Sequence, residues 1–236
     1  MRDQGIRVRP GEKLAQAEWN DNEVIVTTES GKRIKGDVLF YAFGRTGNTD
    51  GLGLEALGIP TNRYQQIQVN AQFQTVHPHI YAVGDAIGPP SLAATAMDQG
   101  RLAAVHAFTG SAEAHRFDLL PTGIYTIPEI STVGATEEQL TQQQVPYEVG
   151  TATYKEIARG QILGATTGRI KLLFHRETLK LLGVHIIGNQ ATELVHIGQT
   201  VMSYDGTVDF FIDHVFNYPT FSECYRIAAL NGVNRL

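Results

Sequence analysis

The chain has 236 residues, of which 42% are hydrophobic and 18% charged, with a formal net charge of -5. This is enough apolar content to bury a core in one or two soluble globular domains, and the acidic balance without a long basic run excludes an electrostatic footprint for nucleic acid or anionic lipid. No apolar run approaches the roughly 18 residues that span a bilayer, and Met1-Arg2-Asp3-Gln4-Gly5 is no signal-peptide start, so a cytoplasmic location without membrane partners is expected.

The first forty-odd residues carry short strand-like runs, Ile6 to Arg9, Glu23 to Thr28 and Asp37 to Phe43, separated by Gly11, Asn20-Asp21-Asn22 and Ser30-Gly31 turn signals. Three such strands expose more apolar surface than they cover, so this segment is expected to be the tail of a larger sheet domain. A loop, Gly44-Arg45-Thr46-Gly47-Asn48, leads to a helical stretch around Leu52 to Leu57 and a strand near Ile67 to Val69. The pair His77 and His79 flanks Pro78 in a turn and lacks the i, i+4 spacing of a helical metal site, so no metal is expected. Ile80 to Val83 reads as an apolar strand ending at Gly84-Asp85, and Ser91 as the N-cap of a long helix reaching about Phe108.

From about Pro121 the texture changes. Glu129 to Val133 reads as a strand, Thr136-Glu137-Glu138-Gln139 as a capped helix start and Tyr147 to Tyr154 as another strand. Arg169 to Phe174 and Leu181 to Ile187 alternate apolar and polar positions across Arg176-Glu177-Thr178, as a half-buried hairpin does. Leu194, Gly198, Val201 and Met202 recur at helical spacing, and a last helix spans about Ser222 to Leu230. The fold class expected is α/β for the first half followed by an α+β domain with an antiparallel sheet. Cys224 is the single cysteine, which excludes an intrachain disulfide and a paired-thiol redox centre within these residues.

The most informative stretch is Thr75-Val76-His77-Pro78-His79-Ile80-Tyr81-Ala82-Val83-Gly84-Asp85, followed by a helix start at Ser91-Leu92-Ala93. A carboxylate after an apolar strand accepts hydrogen bonds from sugar-like hydroxyls, the adjoining glycine permits close approach, and the free N–H groups of a helix start favour an anion. Through Thr75, Tyr81, Ala82, Gly84, Asp85, Leu92 and Ala93 the sequence resembles the FAD-dependent pyridine nucleotide–disulfide oxidoreductase family, which includes dihydrolipoamide dehydrogenase and glutathione reductase. The resemblance covers essentially the whole chain. It implies that Gly84 and Asp85 bind the ribityl part of FAD, that Ser91, Leu92, Ala93 and Ala94 face its ring, and that Gly44 and Arg45 form the turn closing a nicotinamide nucleotide domain. It also implies three regions: residues 1–47 as the tail of an NAD(P)-binding domain, 48–120 as the later part of an FAD domain and 121–236 as a dimer-interface domain.

One departure narrows the chemistry. Disulfide reductases of the family carry His-Pro-Thr-x-x-Glu near the C-terminus, whereas this chain has Tyr218-Pro219-Thr220-Phe221-Ser222-Glu223. A tyrosine, with an ordinary pKa near ~10, is a poor proton shuttle at neutral pH. Asn217-Tyr218-Pro219-Thr220, Gly44 to Asp50, Pro121 to Ile130 and Ala228 to Leu236 resemble the branch that exchanges hydride between NADPH and NAD through FAD, with no thiol relay. The resemblance implies that Tyr218 and Glu223 lie over the flavin of a partner subunit in a homodimer. The lesser alternative, read from its neighbours Phe216 and Phe221 alone, is that Tyr218 is a buried aromatic before a turn proline.

The sequence has no Gly-x-Gly-x-x-Gly after an expected strand, so both nucleotide-binding loops are expected upstream and the chain alone is expected to be pale and inactive. Two alternatives stay open: a piece of a dihydrolipoamide dehydrogenase-like reductase whose thiols lie upstream, and a non-catalytic dimerisation module. A mercuric reductase is disfavoured because no cysteine pair closes the chain. The choice between NAD and NADP is not carried by these residues.

Overall fold

The computed structural model describes residues 5–20, 22–111 and 119–236. The readings on Met1 to Gln4, and on Asp21 within the first turn signal, lie outside the described residues. The chain divides into two compact units, Met1–Thr46 and Gly47–Leu236.

The first unit is an antiparallel meander of β1 (Leu14–Trp19), β2 (Val24–Thr28) and β3 (Arg33–Gly36) in that order. Its turns fix the register. Asn20 Oδ1 accepts the N–H groups of Asn22 and Glu23 at 3.1 and 2.9 Å, the local bonding that suits asparagine to turns. In the second turn the Thr28 N–H donates to the Lys32 carbonyl at 2.9 Å, and Glu12 receives both Ser30 and Lys32. The expected meander is present, but only β2 lies where expected. Ile6 to Arg9 and Asp37 to Phe43 stay outside the sheet, because β2 has two edges and the turns at Asn20 and Gly31 bring Leu14–Trp19 and Arg33–Gly36 to them. An apolar run with no free neighbour has no ladder to join.

The second unit opens with turns rather than strands. Ile67 and Tyr81 each make a single bridge, to Thr61 and Gln74, so the strands expected at Ile67 to Val69 and Ile80 to Val83 are reduced to extended segments. The reason is again the absence of paired neighbours among the described residues. A 3₁₀ turn at Gly84–Ile87 follows, and α1 (Ala93–Thr109) packs back through Leu102 and Ala103 onto Phe73, Val69, Tyr81, Val83 and Ile87. The Tyr81 hydroxyl and His106 Nδ1, 2.9 Å apart, add a polar tie.

The rest of the unit is a five-stranded antiparallel sheet, β4 (Thr122–Ile124), β5 (Ile130–Gly134), β6 (Tyr147–Thr153), β7 (Arg169–His175) and β8 (Leu181–Ile187), in the order β4-β5-β8-β7-β6. α2 (Glu137–Gln142) begins with the expected capping box, Thr136 Oγ1 accepting the Gln139 N–H at 3.2 Å and Gln139 Oε1 accepting the Thr136 N–H at 2.9 Å. Short α3 (Ala158–Ile162) and α5 (Asp209–Asp213) join the longer elements. α4 (Ala191–Ser203) lies on β5 and β8, and α6 (Glu223–Val233) on β6 and β7. Val133, Ile170, Leu172, Phe174, Val184 and Ile186 of the sheet meet Val195, Val201, Tyr225 and Ala228 of these helices in one closed core.

Two contacts set how closely the helices sit. The buried Tyr225 hydroxyl donates to the Leu194 carbonyl at 2.7 Å and accepts the Gly198 N–H at 3.2 Å, tying α6 to α4. One turn further along, α6 meets the sheet backbone to backbone: a Cβ on Gly150 would lie 2.0 Å from the Ala228 carbonyl oxygen. Outer strand β6 is finished by side chains. The N–H groups of Val149, Thr151 and Thr153 donate to Glu148 Oε1, Asn231 Oδ1 and Glu156 Oε2 at 3.1, 3.0 and 2.8 Å, and Arg235 donates to the Val149 carbonyl at 3.1 Å.

Candidate functional site

The segment before α1 is shaped by a glycine. Gly84 has φ +69, its N–H donates to Gln99 Oε1 at 2.7 Å, and a Cβ there would come within 3.0 Å of Ala96. A side chain at this position would be strained in backbone and push α1 away. Asp85 follows on the solvent-exposed side of the turn, as the acidic residue of its first turn.

Ser91 is not the N-cap. It has φ 50, the left-handed region, and Leu92, extended at φ -113 and ψ 138, takes the cap position. A capping oxygen must come from an extended residue directly preceding the first turn, which Ser91 is not. Leu92 has no acceptor to offer, and the first turn carries no acidic residue, so the N–H groups that begin this 17-residue helix have no side-chain cap.

That helix start opens into a cleft of about 460 Å³. Leu92, Ala93, Ala94, Thr95 and Asp98 of α1 form one wall, and Gly123, Tyr125, Ser131, Thr192, Val195 and His196 the other. The volume lies within the ~300–1,000 Å³ range of small-molecule sites, and a mostly apolar lining with a few convergent polar groups is typical of them. Thr192, Val195 and His196 come from the start of α4. Their position depends on Glu129, whose Oε2 accepts the Thr192 hydroxyl at 2.7 Å and the Thr192 N–H at 3.2 Å, while the N-cap residue Gln190 gives no side-chain cap.

The Thr192 hydroxyl, then the Thr192 N–H, hold the Glu129 carboxyl below the usual carboxylate range. A depressed folded pKa contributes stability that is full above the unfolded value and lost as pH falls through the folded one. Glu129→Ala is expected to cost about 1 kcal/mol near neutral pH, the worth of a helix cap. In denaturant titrations at several pH values its deficit against the parent should shrink toward acid. A deficit independent of pH would remove the carboxylate from this role.

The structure brings Leu92, Ala93 and Ala94 together at the cleft. It does not bring the other sequence-derived candidates there. Ser91 and Asp85 precede it, and neither forms its lining. Gly44 and Arg45 belong to the first unit, exposed in an extended segment with Gly44 at φ +82. Tyr218 is 73% exposed, against its burial beside Phe216 and Phe221. Glu223 accepts the Thr220 N–H at 3.1 Å and so braces the turn that carries Tyr218. Gln99, Thr192, His196 and Glu129 escaped the sequence reading, because their roles arise from packing between segments distant in the chain.

Family models for the pyridine nucleotide-disulphide oxidoreductases match residues 1–100, and the model of their dimerisation domain matches residues 120–229. The chain belongs to the pyridine nucleotide-disulphide oxidoreductase family. Within that family it is 54% identical over 98% of its length to the soluble pyridine nucleotide transhydrogenase of Enterobacter sp. strain 638 and 53% identical to that of Escherichia coli strain SMS-3-5. The chain spans about half the length of these curated relatives, 50% in each case. Among solved structures, LpdA from Mycobacterium tuberculosis superposes with a TM-score of 0.82 at 27% identity, covering 97% of this chain and 50% of that one. The Cu(II) complex of the HOCl-induced flavoprotein disulfide reductase RclA from Escherichia coli gives 0.87 at 25% identity, covering 97% and 52%. Among the described residues, no helix is long and apolar enough to cross a membrane.

Proposed function

We propose that this chain serves in FAD-dependent hydride transfer between NADPH and NAD, as part of an NAD(P) transhydrogenase of the Si-specific type acting as a cytoplasmic homodimer. The observation that carries the reading is Tyr218. It stands exposed on a turn braced by Glu223, at the position where thiol chemistry in the family needs a histidine. The likeness to named soluble transhydrogenases supports it. In the same reading residues 1–47 end the NAD(P)-binding domain, 48–120 belong to the FAD domain and 121–236 form the dimer interface.

FAD, when bound, supplies the acceptance and return of a hydride. The residues here would hold and orient it. The N–H groups at Leu92, Ala93 and Ala94 have no side-chain cap and line a cleft of suitable size, so they fit an electron-rich ring edge. Asp85, with Gly84 beside it, offers a carboxylate to sugar hydroxyls. Gly44 and Arg45 would end the nicotinamide domain. Tyr218 excludes water from a neighbouring subunit's site without taking up thiol protons, and Glu223 holds its turn.

The test joins this chain to the amino-terminal half of the Escherichia coli relative. The joined protein is expected to be yellow and to exchange hydride between NADPH and an NAD analogue. Asp85→Ala in it should weaken FAD binding about 10- to 100-fold, the worth of one charge-assisted hydrogen bond of about 1.5–3 kcal/mol. The chain alone should be pale and inactive. A joined protein that reduces disulfides and exchanges no hydride would favour the reductase alternative.

A further inference from the structure

The exposed Tyr218 has to be held from beneath. From Ile212 to Glu223 the single buried side chain is that of Phe221, 4% exposed. Phe216 gives partial support, half-buried with its ring 6.5 Å from that of Phe211. The turn closes on itself through the Thr220 hydroxyl, which donates to the Asn217 carbonyl at 2.7 Å, and through Glu223, which accepts the Thr220 N–H. Those bonds fix the shape of the turn and not its place. Its place depends on what Phe221 rests on, and that is Tyr154: the two ring centroids lie 4.6 Å apart with the planes at 32°, within the range of favourable aromatic pairs.

Tyr154 is itself held at both ends. It directly follows β6, is completely buried, and its N–H donates to the Gly168 carbonyl at 3.0 Å. The ring packs on the bare backbone of two glycines: a Cβ on Gly188 would come within 2.5 Å of it, and one on Gly168 closer still. The hydroxyl donates to the Asn189 carbonyl at 3.0 Å, and burial holds the phenol above the ordinary tyrosine range, so it keeps that proton. An aliphatic side chain would fill the same volume, but would offer Phe221 no plane and Asn189 no donor. We infer that Tyr154 is the positioning residue for the exposed turn: its ring, seated on the glycines and tied to Asn189, sets where Phe221 lies and so where Tyr218 is presented. This inference rests on the proposed function only for what Tyr218 does once in place.

The experiment uses the 236-residue chain carrying Trp19→Phe and Tyr218→Trp, which leaves one tryptophan, on the turn. Fluorescence anisotropy of that reporter measures how firmly the turn is held on the nanosecond scale. Tyr154→Leu is expected to lower it at temperatures where circular dichroism shows the chain folded. Tyr154→Phe, which keeps the ring under Phe221, should leave it at the parent value. Phe174→Ala, the loss of a comparably buried ring elsewhere in the core, should lower stability and not the anisotropy, which separates positioning from general weakening. Phe221→Leu attacks the same contact from the side of the turn and decides the matter if Tyr154→Leu does not fold. An anisotropy that survives removal of either ring, or that Phe174→Ala or Tyr154→Phe lowers as much, overturns the inference. In the joined protein, Tyr154→Leu should lower kcat for hydride exchange at least about tenfold, the scale of a misplaced group, with KM little changed. A loosened turn with undiminished exchange supports the positioning role and removes Tyr218 from the proposed function.

Discussion

Phe174→Ala is expected to destabilise the Gly47–Leu236 unit by about 3–5 kcal/mol, the range for deleting a fully buried phenyl ring. Phe174 is completely buried on β7, in the core shared by the sheet and α6. Its ring lies where a Cβ on Gly232 would come within 2.5 Å, so it fills the space against the α6 backbone. Removal therefore leaves a cavity as well as losing the transfer energy. Chemical denaturation of parent and variant measures the effect. A loss under about 1 kcal/mol would mean that the helix settles into the gap, contrary to the backbone contact at Gly150 that keeps it in place.

Gly150→Ala comes next, with an expected loss of about 3 kcal/mol at the upper end of overpacking effects. The added methyl meets backbone, the Ala228 carbonyl oxygen at 2.0 Å with its carbon at 2.9 Å, which no rotamer change relieves. β6 or α6 must move, and α6 is tied one turn earlier by Tyr225 to Leu194 and Gly198. The thermal midpoint should fall accordingly, while Gly164→Ala, at a glycine with open space around it, reports only the cost of its own backbone angle. Equal losses for the two would refute the close-approach argument.

What the sequence made legible was local. The strands at Arg169 to Phe174 and Leu181 to Ile187, the box at Thr136 and Gln139 and the helical spacing through Leu194 and Met202 each need only neighbours in the chain, and each is present, although the alternation expected of a half-buried hairpin is broken where Leu172, Leu173 and Phe174 are all buried at a register shift. Elements whose identity depends on distant partners were not legible. Leu14–Trp19, with Gln16 and Glu18 exposed, becomes a strand because a turn folds it onto β2, while the more apolar Ile80 to Val83 finds only a bridge at Tyr81. Five-residue α3 and α5 are too short to show a period. Of the residues read from the pattern around Gly84 and Leu92, only Leu92, Ala93 and Ala94 line the cleft. The opposite wall, with Thr192 placed by a glutamate 63 positions earlier, leaves no signature in spacing. Ser91 misled because capping chemistry was matched to residue type without the backbone angle that decides it.

The finish on β6 bears on how this molecule associates. With Glu148, Asn231 and Glu156 occupying three amides of the outermost strand and Arg235 on a carbonyl, an incoming chain meets satisfied groups and would have to break them before gaining any of its own. Lateral growth of the sheet, whether into a continuous dimer ribbon or a fibril, is thereby shut off on this flank. Any association on this flank is left to side-chain surfaces.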